Sequence, residues 1–131
     1  MKEWYRFDAR SLVLAGFLVV APQFGCAEDF GATRIPPSFR YYTYSHGRIV
    51  HQREVRRGDR VYDALVSFLR GHRTGWLPDA NTYAPLLYFT SSYLTVNCRD
   101  LNVVINYKDE KSGRWKQISN RAAECTKWIA K

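Results

Sequence analysis

Five arginines fall within thirteen consecutive positions of the sequence and form what we call the basic cluster. Its members are Arg48, Arg53, Arg56, Arg57 and Arg60. A guanidinium group makes paired hydrogen bonds to carboxylates and phosphates, so the cluster predicts a surface that docks onto an acidic partner. The alternative is a solvated edge of a β-hairpin, where charged side chains discourage pairing with other strands.

The basic cluster is not accompanied by the signature of a nucleic-acid-binding module. The sequence contains no helix-turn-helix, zinc-finger or aromatic RNA-binding pattern, so we expect no nucleic-acid partner. His46 and His51 lie close to the cluster in sequence. Facing each other across a hairpin, they are compatible with a weak metal site or with two exposed side chains. We expect no metal and no cofactor.

A second candidate surface is the loop predicted over residues 75–85, which carries Trp76 and Tyr83 among turn-forming residues. Large aromatic side chains on a loop make good contact anchors for a protein partner. The alternative is that both rings turn inward and close the end of the core, since a small domain needs its large apolar side chains for stability.

Catalytic residues are hard to assemble from this sequence. It has no Gly-x-Ser-x-Gly motif, no His-Glu-x-x-His motif and no glycine-rich phosphate loop. A general base needs a positioned partner, and the best pair on offer is His72 with Asp79. We therefore predict that the protein is not an enzyme. A small exported hydrolase that uses this pair is the alternative.

Residues 1–27 have the pattern of an export signal. Basic residues precede an apolar run over residues 12–21, Pro22 interrupts the run, and small residues flank Cys26. We expect cleavage near Ala27 and a mature protein in the periplasm or outside the cell. Two alternatives are a retained membrane anchor, for which the apolar run is short, and a lipid attached to Cys26.

Removal of this signal leaves Cys98 and Cys125 as the two cysteines of the mature chain. An even number of cysteines in an exported protein predicts a disulfide, because the compartment is oxidising. The bridge closes a loop of roughly 28 residues, and the entropy of loop closure in the unfolded chain stabilises the fold by about 3.5 kcal/mol. Two cysteines at this separation without a nearby histidine match no zinc site.

The mature chain is long enough for one domain. Residues 28–38 form an irregular lead-in, and residues 39–131 form a single domain. Strand-favouring residues over 39–44 and 48–55 surround the turn signal Ser-His-Gly, and this arrangement predicts a β-hairpin.

After the hairpin, Asp59 caps a helix that runs to about residue 70 and has a wide apolar arc. Alternating apolar and polar residues predict further strands at residues 86–90, 93–98, 101–107 and 114–118. Ser119 or Asn120 caps a C-terminal helix. The predicted fold class is α+β, with an antiparallel sheet of about four to six strands packed against the main helix and the C-terminal helix.

These features together favour an exported binding protein. The full chain carries a formal net charge of +8, which favours acidic partners or anionic surfaces. The specific hypothesis is an immunity-type inhibitor that binds and neutralises an acidic toxin or another envelope protein. The alternatives are an envelope-associated module that binds anionic ligands, with peripheral membrane contact, and the small hydrolase.

Overall fold

The computed structural model describes residues 34–121 and 125–129 of the chain. The signal peptide predicted over residues 1–27, its cleavage near Ala27 and the lipid site at Cys26 lie outside the described residues, as does most of the lead-in predicted over residues 28–38. Within the described ranges, no helix is long and apolar enough to cross a bilayer.

In the described part of the chain, seven antiparallel strands form one sheet. The strands are β1 Ser38–Ser45, β2 Arg48–Arg56, β3 Leu77–Pro78, β4 Leu87–Thr90, β5 Leu94–Cys98, β6 Val103–Lys108 and β7 Trp115–Asn120. Their order across the sheet is β2-β1-β4-β5-β6-β7-β3, and every neighbouring pair is antiparallel. The two edges are therefore β2, with nine residues, and β3, with two residues.

Strands β1 and β2 form the hairpin that the sequence predicts. Ser45 pairs with Arg48, which leaves His46 and Gly47 as a two-residue turn with φ angles of 51° and 73°. Positive φ at both positions is the type I′ geometry, which matches the right-handed twist of the flanking strands. The register shifts by one residue next to Thr43, and this shift is a β-bulge close to the turn.

The helix α1 covers Arg60–Gly71. Its N-cap is Asp59, whose Oδ1 accepts a hydrogen bond from the Val61 backbone N–H at 2.8 Å. Its buried side chains belong to the same cluster as those of the strands: Val61, Tyr62, Leu65, Val66, Phe68 and Leu69. The Tyr62 hydroxyl donates to the Pro36 carbonyl oxygen at 2.7 Å, which ties the chain before β1 to the helix.

Alternation along the strands separates two faces of the sheet. The inner face carries the buried side chains of the strands, which are Phe39, Tyr41, Val55, Phe89, Leu94, Val96, Cys98, Val103, Ile105 and Ile118. The outer face carries the residues between them, such as Tyr42, Tyr88 and Gln117. Aromatic rings fill the inner face beside the hairpin, where Tyr41 stacks on Phe89 with ring centroids 4.7 Å apart.

Cys98 of β5 forms a disulfide with Cys125 of the short helix α2, Cys125–Ile129, and their Cα atoms are 5.8 Å apart. This confirms the pairing expected from the cysteine count. Both cysteines are fully buried in the core cluster. The bridge therefore fixes α2 to the inner face of the sheet.

The predicted fold class is wrong. We expected four to six strands packed against a main helix and a C-terminal helix, whereas the described chain is mostly a seven-stranded antiparallel sheet with one helix of 12 residues. Ser119 and Asn120, the expected caps of the C-terminal helix, lie in β7 because the alternation around the buried Ile118 continues to the end of that strand. The described part of the C-terminal helix has five residues.

The loop predicted over residues 75–85 also contains a strand. Leu77 pairs with Ser119 and Pro78 pairs with Ile118, so β3 extends the sheet beyond β7. A proline is tolerated in a strand that lies at the edge of a sheet, where its missing N–H costs no ladder hydrogen bond.

Candidate functional site

The outer face of β1 and β4 carries three tyrosines that lie side by side. Tyr42 and Tyr44 are two positions apart on β1, and Tyr88 pairs with Tyr42 across the β1–β4 ladder. The ring centroid of Tyr42 lies 6.4 Å from that of Tyr44 and 6.4 Å from that of Tyr88. All three residues are half-buried, and Ile49, opposite Tyr44 on β2, is 51% exposed. We call these four residues the tyrosine patch.

A hollow of about 650 Å³ lies toward the end of the hairpin that is away from its turn. Its walls include Arg40, Gln52 and Glu54 from the hairpin and residues 91–93 after β4. Gln52 pairs in register with Tyr42, so the hollow continues the patch along the hairpin. Flat aromatic rings, an exposed aliphatic side chain and adjacent hydrogen-bonding groups together suit contact with another protein.

The basic cluster is divided by the structure rather than gathered into one surface. Arg48 lies next to the turn of the hairpin, and Arg56 lies at the other end of the nine-residue strand β2. At about 3.4 Å per residue, their Cα atoms are about 27 Å apart. Arg57 and Arg60 follow Arg56 at the start of α1, and all three are exposed. We call these three residues the basic end of the hairpin.

Arg53 makes contacts within the molecule. Its guanidinium donates two hydrogen bonds to the carboxylate of Asp59, the N-cap of α1, and lies 5.9 Å from the ring centroid of Tyr41. The hydrogen bond between them raises the pKa of Arg53 and lowers the pKa of Asp59. Burial raises the pKa of the Tyr41 phenol, and the charge of Arg53 acts in the opposite direction. Arg53 therefore links β2 to the start of α1.

Trp76 and Tyr83 have different surroundings, although the sequence places them on one loop. Trp76 is fully buried, and its indole N–H donates to the His72 carbonyl oxygen at 2.6 Å. Trp76 thus belongs to the core, in line with the alternative that its ring turns inward and closes the end of the core. Tyr83 is half-buried, its hydroxyl donates to Asp79 at 2.7 Å, and the guanidinium of Arg99 lies 5.2 Å from its ring centroid. The bond to Asp79 raises the pKa of Tyr83.

His72 and Asp79, the candidate acid–base pair, lie in separate environments. The backbone N–H of Asn81 donates to Oδ1 of Asp79 at 2.8 Å, and this bond, together with that from Tyr83, lowers the pKa of Asp79. The Nδ1 of His72 is 2.8 Å from the Phe68 carbonyl oxygen. His72 is also not among the residues that line the cleft beside Asp79.

The two histidines of the hairpin do not face each other. His51 pairs in register with Thr43, whereas His46 lies in the turn with its Nδ1 3.0 Å from the Ser45 hydroxyl. Over residues 34–121 and 125–129, no three His, Cys, Asp or Glu side chains are grouped so as to hold a metal ion.

The other half of the outer face lies under the chain that joins β3 to β4, residues 79–86. Gln117 of β7 donates its Nε2 to the Asn81 carbonyl oxygen at 2.7 Å. On the same face, Val104 is 2% exposed and Asn97 is 6% exposed. The side-chain oxygen of Asn97 has no hydrogen-bond partner within the described part of the chain. The outer face is therefore covered around Val104 and Asn97, whereas Trp115 at the start of β7 is 52% exposed.

A cleft of about 1290 Å³ opens at the β3 end of the sheet. Its lining includes Arg99 and Asp100 from the β5–β6 connection and Arg121 after β7. Leu77 and Leu101 also line it and are 55% and 77% exposed. Charges of both signs lie in the walls of this cleft. Its preference for a ligand of one charge sign is therefore weaker than that of the hairpin.

The sequence analysis missed the tyrosine patch. The signal was the spacing of Tyr42 and Tyr44, since residues two apart on a strand lie on one face. The adjacent Tyr41 and Phe39 have the same spacing on the opposite face and are buried. Spacing therefore finds the two faces, and only the tertiary structure shows which of them solvent reaches.

Comparison of the chain with protein-family models, with curated proteins and with solved structures finds no match. The function must therefore be argued from the site itself.

Proposed function

We propose that the protein is an exported, non-catalytic binding protein that captures another protein through the tyrosine patch. The observation that carries this proposal is the row of three half-buried tyrosines on the outer face of the hairpin and β4. Next to it, Ile49 and Val50 are 51% and 63% exposed. Exposed apolar side chains beside aromatic rings gain free energy when a partner removes them from water.

Tyrosine suits such a surface for two physical reasons. Its ring buries a large area and loses little side-chain entropy on binding, and its hydroxyl can hydrogen-bond to a partner. The Tyr42 ring lies against those of Tyr44 and Tyr88, so a partner meets the three rings already ordered. Less ordering on binding leaves more of the contact energy as affinity.

Charge supports an acidic partner. The basic end of the hairpin and Arg48 place exposed arginines at both ends of β2. Complementary charge speeds the encounter of two proteins and orients them, and the buried aromatic contacts then slow dissociation. Within this class we favour an immunity-type inhibitor, a small protein that occludes the acidic active-site cleft of a toxin. Small size, basic charge and the predicted export signal support it.

The alternative is an envelope module whose basic end lies on anionic lipid or glycan. The three exposed arginines of that end favour it. It differs from the first proposal because it leaves the tyrosine patch unused. Binding to phosphatidylglycerol vesicles that falls steeply with salt, with no protein partner recovered, would select it.

The experiment measures how much partner protein each of three forms of the protein captures from an envelope extract. They are the wild type, the double variant Tyr42→Ser/Tyr44→Ser, and the control Trp115→Ser, which removes an aromatic that is 52% exposed outside the patch. We expect the wild type and the control to retain the same partner, and the double variant to retain at least about tenfold less, since aromatic anchors dominate binding energy. Equal retention by all three forms, or no partner at all, contradicts the proposal.

A further inference from the structure

Strand β2 leaves one side of its backbone open. In the described part of the chain it pairs only with β1, through every residue of the strand except Val50 at the bulge. Residues 48–54 of this strand are exposed or partly exposed. An edge strand of this length presents a row of backbone N–H and C=O groups that another strand can bind.

The hydrogen bonds of β1 show which groups of β2 point outward. The Tyr44 backbone N–H donates to the Leu86 carbonyl oxygen at 2.9 Å, on the β4 side of β1. The backbone N–H and C=O groups of Tyr42, two positions earlier, also point toward β4, because alternate residues of an antiparallel strand bond to the same neighbour. Its partner Gln52 on β2, and likewise Glu54, therefore turn their N–H and C=O groups away from β1. The β-bulge lies nearer the turn, so residues 52–56 are a regular stretch of edge.

The side chains of this edge indicate what can pair with it. Arg48 and Arg56 lie at its two ends and are exposed. A second copy of β2 in an antiparallel, in-register pairing sets each of these arginines against the other one of the copy, and like charges opposite each other are unfavourable. An acidic strand meets both arginines favourably. Ile49 and Val50 follow Arg48 along the strand, are 51% and 63% exposed, and offer apolar contacts to the added strand.

We infer that an acidic, extended segment of the partner protein adds to β2 as a further strand of the sheet, through the outward backbone groups of Gln52 and Glu54. This inference rests on the proposed function and specifies how the partner binds. Main-chain hydrogen bonds along the edge supply affinity, and the flanking arginines and the tyrosine patch supply specificity.

The test uses a blocked heptapeptide, Asp-Val-Glu-Thr-Asp-Val-Glu, as the probe and the purified protein as the receptor. Amide NMR should show the N–H groups of Gln52 and Glu54 shifting and exchanging more slowly when the peptide binds. Gln52→Pro removes one outward N–H, and Gln52→Ala is the matched control that removes the side chain alone. We expect Gln52→Pro to weaken the peptide Kd at least about tenfold relative to Gln52→Ala. Glu54→Pro with Glu54→Ala repeats the comparison should the first pair fold poorly.

A second probe separates strand pairing from simple charge attraction. It has the same charges, with proline at its central position, so it cannot form the ladder. Equal binding of the two peptides, or equal binding to the proline and alanine variants, overturns the inference. Slow exchange at Gln52 and Glu54 before any peptide is added also overturns it, because the edge is then already occupied by this chain or by a second copy. If strand pairing fails while Tyr42→Ser/Tyr44→Ser still abolishes capture, the inference is wrong and the proposed function stands.

Discussion

Tyr41 and Tyr42 are adjacent in the sequence and have opposite surroundings. Tyr41 is 6% exposed and stacks on Phe89 in the core. Tyr42 is half-buried on the outer face, with its ring between those of Tyr44 and Tyr88. The residue type is the same, so the difference comes from the face of the strand. The inner tyrosine stabilises the fold, and we propose that the outer tyrosines bind a partner.

The two faces of the sheet also differ in what covers them. The buried side chains of the inner face form one cluster with those of α1 and with Cys125 and Ile129, and a disulfide joins Cys98 to Cys125. On the outer face, residues 79–86 bind Gln117 and the nearby Val104 and Asn97 are buried, whereas the three tyrosines are half-buried and Ile49 beside them is 51% exposed. An exposed surface of aromatic and aliphatic side chains lowers the solubility of a protein. Such a surface is expected where it serves binding, so the difference between the two faces points to a binding function.

The largest expected effect is on the inner face of β4. Phe89→Ala should destabilise the fold by about 3–5 kcal/mol, because a fully buried ring leaves a cavity. Tyr88→Thr, one position away on the outer face, should cost about 1 kcal/mol, since it removes only cross-strand contacts and keeps a strand-favouring residue. Urea unfolding of both variants checks the difference. Equal losses would remove the distinction between the faces.

Loss of the disulfide should come next. The double variant Cys98→Ala/Cys125→Ala should lower the free energy of unfolding by about 2–5 kcal/mol, because the unfolded chain regains the entropy of an open loop. Partner capture should persist wherever the variant is folded, since the bridge lies in the core away from the tyrosine patch. Thermal unfolding with and without a reductant measures the first effect. A bound partner lost while the sheet stays folded would show that the two faces are coupled.

Asp59 should have a smaller effect that depends on pH. Asp59→Ala removes both the cap of α1 and the ion pair with Arg53, and should cost about 1–2 kcal/mol at pH 7. Asp59→Asn keeps the cap and should cost less than about 1 kcal/mol.

The sign of the pH dependence follows from the lowered pKa of Asp59. The stabilisation from the Arg53 contact is fully present above the unfolded-state pKa of about 3.9, and it is lost as pH falls through the lower pKa of the folded state. The difference between wild type and Asp59→Asn should therefore shrink below about pH 4. A difference that is constant from pH 7 to pH 2 would assign the effect to capping alone. Chemical denaturation at several pH values checks this.

The smallest effect on stability belongs to the tyrosine patch. Tyr42→Ser and Tyr44→Ser should each lower the free energy of unfolding by about 1 kcal/mol or less, because both side chains are half-buried on the outer face. The measurement is the urea midpoint at constant m-value. A loss of about 3 kcal/mol from either variant would place the patch with the core.

The parts of the fold that local signals specify could be predicted from the sequence. The hairpin follows from the turn residues His46 and Gly47, and the start of α1 follows from Asp59. The disulfide follows from the two cysteines that remain once the predicted export signal is set aside. Two-residue β3 could not be predicted, because its pairing with β7 joins residues about forty positions apart and Pro78 opposes a strand assignment. Ser119 pairs with Leu77 of this missed strand, and both Ser119 and Asn120, expected as caps of the C-terminal helix, lie in β7.

Two things limited the prediction of the site from the sequence. Residues that are close in sequence are not always close in space, and the sequence does not show which surfaces other parts of the chain cover. The sequence analysis found the arginines of the basic cluster, but an extended strand separates Arg48 from the other end of the hairpin. Arg53 binds Asp59 within the molecule instead of a partner. Trp76 could have been core or surface, and only the tertiary structure decides that it is core. The tyrosines of the outer face were missed because a strand pattern does not state which face is left open.

The most direct test of the central claim measures binding and stability on the same variant. The partner captured by the wild-type protein is titrated against Tyr42→Ser/Tyr44→Ser, and the unfolding free energy of that variant is measured in parallel. We predict that affinity falls by about thirtyfold or more, equivalent to at least about 2 kcal/mol for the loss of aromatic anchors, while the fold loses about 2 kcal/mol or less. Unchanged affinity, or a loss of stability as large as that of Phe89→Ala, would contradict the account.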